Sequence, residues 1–487
     1  MKRINMPYYR LFINGKWVDA SDKKTFPTMN PATGEMIATV AEASAVDVGY
    51  AVNAARQALD SGPWGKMSAS QRGRILMNLA DLLQSNAKEM SLLESMDAGK
   101  PISAVIRQDV AASVDTLQYY AGWADKIHGE VIPARKDALT YTLREPVGVV
   151  AAIVPWNFPL MIALWKIAPA LAAGCTVVLK PAALTPLSAL RMAEFAMEAG
   201  VPAGVINIVP GSGRITGNAL VEHPGVNLIS FTGSVEVGRG IMHAAADGFK
   251  RVALELGGKS ANLVFADADL DAAVKASSSG VFFNSGQVCS AGSRILVENS
   301  IYDEFVERLV DRARTMRVGD PLNPDTHMGP VISELQRDRV LEYIEIGQKE
   351  GATLVSGGQK VGEKGYFLSP AVFADVGHGM RISQEEIFGP VASVLRFKDE
   401  NDAVEMANGT RYGLAAAVWS QDVGRAHALS ARLKAGTVWV NTYGPTDIRL
   451  PWGGSGDSGV GRERGHEALE HYTEPKVVWV NLARKAA

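Results

Sequence analysis

From Val147 onward, short apolar runs alternate with stretches of helical character, and this alternation restricts the possible folds more than any other feature. Buried strands are predicted over 147–154, 176–179, 205–208, 226–231 and 252–254. Helices are predicted between them, for example over 188–199 and 215–222. A strand, a helix and another strand in that order form a parallel sheet with crossover connections. The pattern therefore predicts an α/β fold that binds ligands at the carboxyl ends of its strands.

The same rhythm resumes from Ala261 to about Val440. Strands are predicted there over 294–297 and 391–397. Because this second series has its own strands and helices, it is interpreted as a second α/β domain. A chain of 487 residues is also too long for one ordinary core, so two or three domains are expected.

The first 125 residues are predicted to be mainly helical. Apolar residues recur at helical spacing over 46–59, 72–96 and 104–123. Two further strands are predicted outside the main series, over 139–143 and 475–480. Neither of these strands has a local partner in the sequence.

Composition and charge exclude several classes of protein. The net charge of −3 provides no basic footprint for nucleic acid. Two cysteines, Cys175 and Cys289, fit a reducing cytosol better than a secreted disulfide scaffold, so a cytoplasmic location is predicted. The eight histidines show no paired-ligand spacing, so no metal site is predicted.

One segment, 146–165, has no charged residue and about the length of a membrane span. However, Pro155 and Pro159 interrupt it, and Asn157 lies between them. A strand, a turn and the start of a helix explain the segment better than a span does. The N-terminus lacks the apolar run of a secretory signal.

Cys289 and Glu255 are the residues whose side chains most clearly suit catalysis. A cysteine can attack a carbonyl carbon as a thiolate. A carboxylate beside it can then activate a water molecule to release the acyl group. On their own, a cysteine and a glutamate prove little, since most such pairs are an inert buried thiol and a surface carboxylate.

The segments around these two residues belong to a longer series of motifs. The series comprises Pro155-Trp156-Asn157-Phe158-Pro159, Phe231-Thr232-Gly233-Ser234 with Gly238, Glu255-Leu256-Gly257-Gly258-Lys259, 282–289, Glu385-Glu386-Ile387-Phe388-Gly389-Pro390 and Pro451-Trp452-Gly453-Gly454 with 458–463. In order and spacing it resembles the aldehyde dehydrogenase superfamily over nearly the whole chain. The resemblance implies a Rossmann-like dinucleotide-binding domain, a second α/β catalytic domain and a small β oligomerisation arm.

The resemblance also implies domain boundaries and a homodimer or homotetramer. The dinucleotide-binding domain would comprise 1–125 and 147–258, and the catalytic domain 259–440. The arm would comprise 126–146 and 471–487. The remaining segment, 441–470, would return to the active site and the substrate tunnel.

The implied reaction is oxidation of an aldehyde to the carboxylic acid with NAD(P)+ through a thiohemiacetal and a thioester on Cys289. Glu255 would be the general base. The Asn157 amide and the backbone N–H of Cys289 would stabilise the oxyanion, although Asn157 between two prolines also fits a simple turn residue. Lys166 and Glu463 would serve in a proton relay or as structural support.

Glycine-rich turns follow two of the predicted strands, where the backbone can approach a phosphate. Neither turn has the strict G-x-G-x-x-G pattern. Glu386 would contact the nicotinamide ribose, and Phe388 would pack near the nicotinamide ring. The full set of implied cofactor-binding residues is Ile153, Val154, Pro155, Trp156, Lys180, Pro181, Ala182, Ala183, Gly213, Gly217, Phe231, Gly233, Ser234, Val237, Leu256, Glu386 and Phe388.

Ala183 departs from the pattern of many NAD-preferring relatives, which carry glutamate there. A carboxylate would hold the ribose hydroxyls and repel a 2′-phosphate. Ala183 removes that repulsion beside the ammonium group of Lys180, so NAD use is expected and NADP use stays open. The alternative is that Ala183 is neutral and other contacts hold the ribose.

The implied substrate tunnel is large and apolar, and two of its residues, Trp165 and Ile162, offer no cation to a carboxylated substrate. An aromatic or medium-chain aliphatic aldehyde is therefore predicted. An amino- or betaine-type aldehyde held by cation–π contact is the runner-up, and a non-catalytic, crystallin-like protein is the alternative from another class. The tunnel residues are Phe158, Met161, Ile162, Trp165, Phe283, Val288 and Trp452.

Overall fold

A computed structural model describes residues 8–483 and confirms the predicted α/β class. Residues 1–7 and 484–487 lie outside the described residues. They include the start of the predicted dinucleotide-binding domain and the end of the predicted arm.

The first sheet has eight strands, and its central strands are parallel. Antiparallel strands close both of its edges. In spatial order the strands are Gly459–Val460, Arg251–Glu255, Leu228–Thr232, Val149–Ile153, Thr176–Lys180, Ile206–Ile208, Leu11–Ile13 and Lys16–Val18. The central strands are buried along their whole length and consist mainly of Val, Ile, Leu and Ala, as expected for a sheet covered on both faces.

The second sheet has seven strands, all parallel except the antiparallel pair at one edge. In spatial order these are Thr353–Ser356, Ala371–Ala374, Val391–Phe397, Arg294–Glu298, Ala261–Val264, Ala415–Trp419 and Thr437–Val440. The segment 256–260 runs directly from the edge region of the first sheet into the second. The residues that join the two sheets therefore follow the strand that ends at Glu255.

Helices cover both sheets. The α-helices are Ala45–Asp60, Ala69–Ser85, Ala87–Ala98, Ile102–Ala104, Ala111–Trp123, Pro159–Ala173, Leu187–Glu198, Asn218–Glu222, Val235–Asp247, Leu270–Phe282, Tyr302–Arg314, Glu334–Lys349, Arg381–Gln384, Glu400–Asn408, Val423–Arg432 and Leu469–Tyr472. Short 3-10 or π turns occupy Trp64–Lys66, Val105–Val110, Ala124–Lys126, Gly213–Gly217, Phe283–Gly286 and Asn299–Ile301. Within residues 8–483, no helix is both long enough and apolar enough to span a membrane.

The N-terminal part differs from the sequence prediction in two ways. The helix expected over 72–96 is two helices, and Asn86 separates them while its side-chain amide donates to the Leu82 carbonyl at 2.8 Å. The expected mainly helical segment also begins with strands, among them Thr25–Met29 and Met36–Ala41. These strands pair partly with distant segments, as Phe12 does with Ile208, so local periodicity does not reveal them.

The two strands that lacked a local partner in the sequence pair with each other. Ala138–Pro146 and Thr473–Asn481 form an antiparallel ribbon, with Thr473 opposite Pro146 and Asn481 opposite Ala138. Val477 and Trp479 are exposed on this ribbon. Because the partners are distant in sequence, only the tertiary fold brings them together.

A second small pairing explains contacts of the segment 455–457. Ser455–Gly456 pairs antiparallel with Tyr412–Gly413. The Asp457 carboxylate lies 3.6 Å from Arg239 Nη2 and 3.4 Å from Arg411 Nε. The segment therefore joins a strand pair and an exposed charge cluster.

Candidate active site

Cys289 follows a loop with unusual backbone geometry. Asn284, Ser285 and Gly286 have φ values of 49°, 56° and 73°, so consecutive residues adopt the left-handed conformation. Only glycine takes this conformation freely, and a Cβ on Gly286 would clash with the carbonyl oxygen of Gly389. The Ser285 hydroxyl donates to the Gly329 carbonyl at 2.8 Å. Tertiary contacts thus hold a strained turn next to Cys289, as is common at functional sites.

Asn157 is tied to the same loop. It follows the strand Val149–Ile153, and its side-chain amide donates to the Gln287 carbonyl at 2.9 Å. The Asn284 amide donates in turn to the Asn157 carbonyl at 3.2 Å. The structure therefore joins Asn157 to the loop that carries Cys289. Sequence reasoning missed Asn284 and Gln287 as supports, although asparagine is one of the few residues that tolerates the left-handed region.

The Cys289 thiol lies in an environment that disfavours its charged form. It is half-buried, and burial together with the carboxylates of Glu386 and Glu255 raises its pKa to about 12. The thiol is therefore neutral near pH 7, and attack on a carbonyl requires that its proton be removed. The other cysteine, Cys175, is fully buried, and its thiol donates to the Tyr472 carbonyl at 3.2 Å.

Glu255 ends its strand with a buried carboxyl group. Its Oε2 atom has no hydrogen-bond partner among residues 8–483. Burial and the nearby Glu463 raise the pKa of Glu255 well above its usual value, against the opposing effect of Lys166 and two arginines. A carboxyl group with a raised pKa and an oxygen without a partner suits proton transfer.

Lys166 and Glu463 form a buried ion pair. The Ser230 hydroxyl lies 3.2 Å from both Lys166 Nζ and Glu463 Oε1. Glu463 is positioned by reciprocal backbone hydrogen bonds with Trp452, at 2.6 and 2.7 Å. The pair thus places one positive and one negative charge within electrostatic range of Glu255.

The implied cofactor-binding residues gather at one edge of the first sheet. The strands that end at Ile153, Lys180 and Thr232 are adjacent and parallel, so the residues after them share that edge. Ser234 caps the helix Val235–Asp247 and accepts from the Val237 N–H. A capped helix N-terminus at a sheet edge is a favourable position for a phosphate.

Lys180 and the turn that contains Gly213 and Gly217 lie at the same edge of the first sheet. Lys180 is buried, and burial lowers the pKa of its ammonium group to about 8. A Cβ on Gly217 would lie 3.7 Å from Lys180 Cδ, so the turn containing Gly213 and Gly217 borders the lysine. Pro181, Ala182 and Ala183 follow Lys180 directly, and Ala183 is half-buried.

Glu386 and Phe388 reach the site from the second sheet's side. The Gly258 N–H donates to Glu386 Oε1 at 3.2 Å, and burial raises the pKa of Glu386 to about 7. The Phe388 ring packs edge-on against Trp156 with 5.2 Å between centroids. These contacts bring implied cofactor residues from both sheets together.

The residues present fit a dinucleotide. A Cβ on Gly257 would clash with the Glu386 carboxylate, and a Cβ on Gly233 with the Phe231 ring, so glycine keeps the backbone accessible at both turns. The buried Thr232 hydroxyl has no partner among the described residues. Leu256 packs with the same core as Ile153 and Phe231, while Val154 and Pro155 continue the chain toward Trp156.

The predicted tunnel residues are divided between packed clusters and the lining of cavities. The Phe158 and Phe283 rings lie 6.3 Å apart, and Ile162 and Val288 belong to the same core cluster. Met161 and Trp165 line a cavity of about 480 Å³. The other residues around this cavity are Ala112, Asp115, Thr116, Gln118, Tyr119, Thr446, Asp447, Ile448, Arg449 and Arg464.

Two cations contact the aromatic rings of the predicted tunnel residues, although Trp165 and Ile162 themselves offer none. Lys100 Nζ lies 3.6 Å from the centroid of the Phe158 ring. The Arg464 guanidinium lies 5.1 Å from the Trp165 ring and 5.5 Å from the Trp452 ring. Both cations are buried, and Lys100 and Arg464 are distant in sequence from the Phe158 and Trp165 rings that they contact.

Comparisons with known proteins agree with this geometry. The family model described as "Aldehyde dehydrogenase family" matches residues 17–478. Retinal dehydrogenase 2 of Mus musculus is 50% identical over 484 residues, which cover 99% of this chain and 93% of the mouse protein. The chain therefore belongs to the aldehyde dehydrogenase family, and it is an enzyme that oxidises aldehydes with a nicotinamide dinucleotide.

Solved structures extend the comparison. The NAD+ complex of aldehyde dehydrogenase from Bacillus cereus superposes with a TM-score of 0.97 at 48% identity, covering 98% of this chain and 97% of the other. A betaine aldehyde dehydrogenase from Staphylococcus aureus, also bound to NAD+, gives a TM-score of 0.96 at 42% identity, with coverage of 98% and 95%. The predicted family and fold are thus confirmed, and NAD is supported as the cofactor.

Proposed function

We propose that this protein oxidises an apolar aldehyde to its carboxylic acid with NAD+, using Cys289 as nucleophile and Glu255 as general base. The observation that supports this most directly is the convergence of Cys289, Glu255 and Asn157. The Asn157 amide is bonded to the loop of Cys289, and the Glu255 charge acts on the thiol. The three residues thus meet where the two sheets join.

In the first step, the Cys289 sulfur forms a bond to the aldehyde carbon, and the thiol proton passes to a base. The pKa of the thiol is raised, so this proton transfer is part of the attack rather than complete beforehand. One N–H of the Asn157 amide is bonded to Gln287, and an amide has two. The second N–H and the Cys289 backbone N–H are the proposed oxyanion donors.

NAD+, held on its nicotinamide side by Glu386 and Phe388, would supply the acceptor for the hydride that leaves the aldehyde carbon. Cys289 then carries the acyl group as a thioester. Glu255 takes a proton from water, the hydroxide oxygen bonds to the acyl carbon, and the carbon–sulfur bond breaks. Carboxylate leaves, and the Cys289 sulfur recovers a proton.

Lys166 and Glu463 act on this step through Glu255. Glu463 raises the pKa of Glu255 and Lys166 lowers it, so the pair adjusts the pH range in which Glu255 can accept a proton. Because the two side chains form a buried ion pair, we assign them a positioning role.

The proposal of an aromatic or medium-chain aliphatic substrate is supported by Met161 and Trp165, which give the cavity apolar walls. The betaine-type alternative has less support in this chain. Arg464 lies against the Trp165 and Trp452 rings that a quaternary ammonium group would need, and its charge would repel such a group. A non-catalytic role has less support than an enzymatic one, because Cys289, Glu255 and Asn157 are all present.

The test of this function is a panel of aldehydes assayed with NAD+ by the absorbance of the reduced cofactor. We expect turnover with benzaldehyde and hexanal, and at most weak turnover with betaine aldehyde. Comparison of kcat/KM across the panel ranks the substrates. Absence of reduced cofactor with every aldehyde would contradict the proposed function.

Cofactor choice gives a separate prediction at Ala183. We propose that the wild type uses NADP measurably, because Ala183 opposes no phosphate and Lys180 is close in sequence. Ala183→Glu should raise the NAD/NADP ratio of kcat/KM about tenfold, which corresponds to ~1.4 kcal/mol. The measurement is kcat/KM with both cofactors.

Ala183→Gln is the matched control for this prediction, since it has nearly the same size as glutamate and no charge. It should change the ratio much less than glutamate does. If the wild type rejects NADP and neither substitution alters the ratio, Ala183 does not face the ribose.

The ribbon 138–146/473–481 supports a further proposal, that the protein forms a homodimer or homotetramer. Its strands leave exposed edges and exposed apolar side chains such as Trp479. A cytoplasmic location stays a proposal as well, supported by two cysteines that are both free.

A further inference from the structure

Arg464 is a buried arginine with unsatisfied donors. Only 2% of the residue is exposed. One guanidinium nitrogen, Nη2, donates to the Asp447 carbonyl. The Nε and Nη1 atoms have no hydrogen-bond partner among residues 8–483. Buried donors without partners cost free energy, so their retention here calls for a ligand or a function.

The backbone at Arg464 is strained as well. Its φ of 62° lies in the left-handed region, which residues with a side chain rarely adopt. Neighbouring contacts hold it there: the Tyr120 hydroxyl donates to the Gly465 carbonyl at 2.8 Å, and the Gly465 N–H donates to the Ile448 carbonyl at 2.8 Å. A residue held in this strained conformation thus brings its guanidinium within 5.1 Å of the Trp165 ring centroid and 5.5 Å of the Trp452 ring centroid.

No carboxylate pairs directly with this guanidinium among the described residues. The Asp447 carboxylate is bonded to Arg449 at 2.8 and 2.6 Å. Glu463 is paired with Lys166. Glu255 is within electrostatic range of Arg464, but no hydrogen bond joins the two. The positive charge of Arg464 is thus only partly compensated.

Arg464 also lines the cavity of about 480 Å³ that contains Met161 and Trp165. This volume lies within the range of roughly 300–1,000 Å³ typical of small-molecule sites. Cys289 packs against the same small cluster as Trp165 and Trp452. The cavity, the guanidinium and the nucleophile therefore belong to one region.

We propose that Arg464 binds a carboxylate at the far end of the aldehyde substrate, so that the enzyme prefers aldehydes with an apolar body and a terminal acid group. This inference rests on the proposed function, keeps the apolar body of its substrate and adds a terminal carboxylate to it. A planar guanidinium with free N–H groups matches the two oxygens of a carboxylate. Asp115, which is exposed at the cavity, opposes an anion only weakly because water screens it.

The first test uses the unaltered enzyme. We compare kcat/KM for para-carboxybenzaldehyde with that for para-carbamoylbenzaldehyde, which has nearly the same shape and no charge. Adipic semialdehyde and hexanal form a matched aliphatic pair. The acid of each pair should be preferred at least about tenfold, and ratios near one in both pairs would overturn the proposal.

The second test uses Arg464→Met, which keeps an unbranched side chain and removes the charge. It should lower the acid-to-neutral ratio about tenfold while turnover of the neutral aldehyde persists. Arg74→Leu is the matched control, because it removes one positive charge from an exposed position on the helix Ala69–Ser85. This control should leave the ratio unchanged.

The outcomes separate the two proposals. Turnover of neutral aldehydes with an unchanged ratio in Arg464→Met would overturn the role of Arg464 and leave the proposed function intact. An equal loss for acid and neutral substrates would show that Arg464 acts on Glu255 instead, which also overturns carboxylate binding. No turnover with any aldehyde would contradict the proposed function itself. If Arg464→Met does not fold, the kcat/KM ratios of the two substrate pairs, measured with the wild-type enzyme, still decide whether a carboxylate is preferred.

Discussion

Replacing Cys289 by alanine should lower kcat for aldehyde oxidation by at least about a thousandfold, as expected when a covalent nucleophile is removed. The remaining site would still bind the aldehyde, but no thiohemiacetal could form. Binding of NAD should change little, because the proposed cofactor contacts come from the strand ends and not from the thiol. The measurements are steady-state turnover and the dissociation constant of NAD.

Cys175→Ala is the matched control for the nucleophile. Cys175 is buried, and its thiol donates only to a backbone carbonyl, so its loss should affect stability more than turnover. Turnover of Cys289→Ala above a tenth of the wild-type rate would contradict the assignment. Iodoacetamide should modify Cys289 faster than Cys175, since only Cys289 is partly exposed.

Replacing Glu255 by glutamine should lower steady turnover by ~10²–10⁴-fold, the usual range for a lost general base. Acylation of Cys289 should still occur, so the first turnover should release a burst of reduced cofactor. Rapid mixing followed by mass spectrometry should detect the acyl-enzyme. Unchanged turnover would mean that another group activates the water.

The pH dependence tests the same residue. Glu255 accepts a proton only when it is ionised, and its pKa is raised by burial and by Glu463. Wild-type turnover limited by deacylation should therefore fall as the pH is lowered through this raised pKa, well above the usual range of a glutamate. The acid limb should be absent from the residual turnover of Glu255→Gln.

Glu463→Gln is the informative comparison for this pH profile. It removes a negative charge that raises the pKa of Glu255 and leaves Lys166, which lowers it. The acid limb should therefore move to lower pH. A profile identical to that of the wild type would rule out the positioning role proposed for the pair. Thermal unfolding should accompany this experiment, because losing one member of a buried ion pair is destabilising.

Local pattern was sufficient to predict the central strands. The strand observed at Val391–Phe397 was predicted with the same bounds, and the one at Val149–Ile153 falls within the predicted 147–154. Such strands are buried on both faces, so their side chains form continuous apolar runs that need no distant information. The same reasoning placed the turns that follow these strands, and hence the edge where Asn157 and Gly233 lie.

The order and spacing of the motifs predicted the family and the site residues. The comparisons confirm the family and the fold, while the individual roles of Cys289, Glu255 and Asn157 stay predictions for the experiments above. Roles could be predicted for these three residues from their side-chain chemistry and their positions in the motifs, because the family resemblance implies how the motifs are arranged in three dimensions.

Only the tertiary structure revealed the left-handed turn at Asn284 and Ser285, the ribbon 138–146/473–481 and the position of Arg464. Each depends on a contact between segments far apart in sequence. The two ribbon strands pair although most of the chain separates them in sequence. Arg464 reaches the Trp165 ring from the C-terminal segment. Local periodicity records which face of an element is buried, but it does not record which distant side chain covers that face. The sequence alone therefore determined the fold class and the implied reacting groups, whereas long-range packing decided that a buried cation contacts the predicted tunnel residues Trp165 and Trp452.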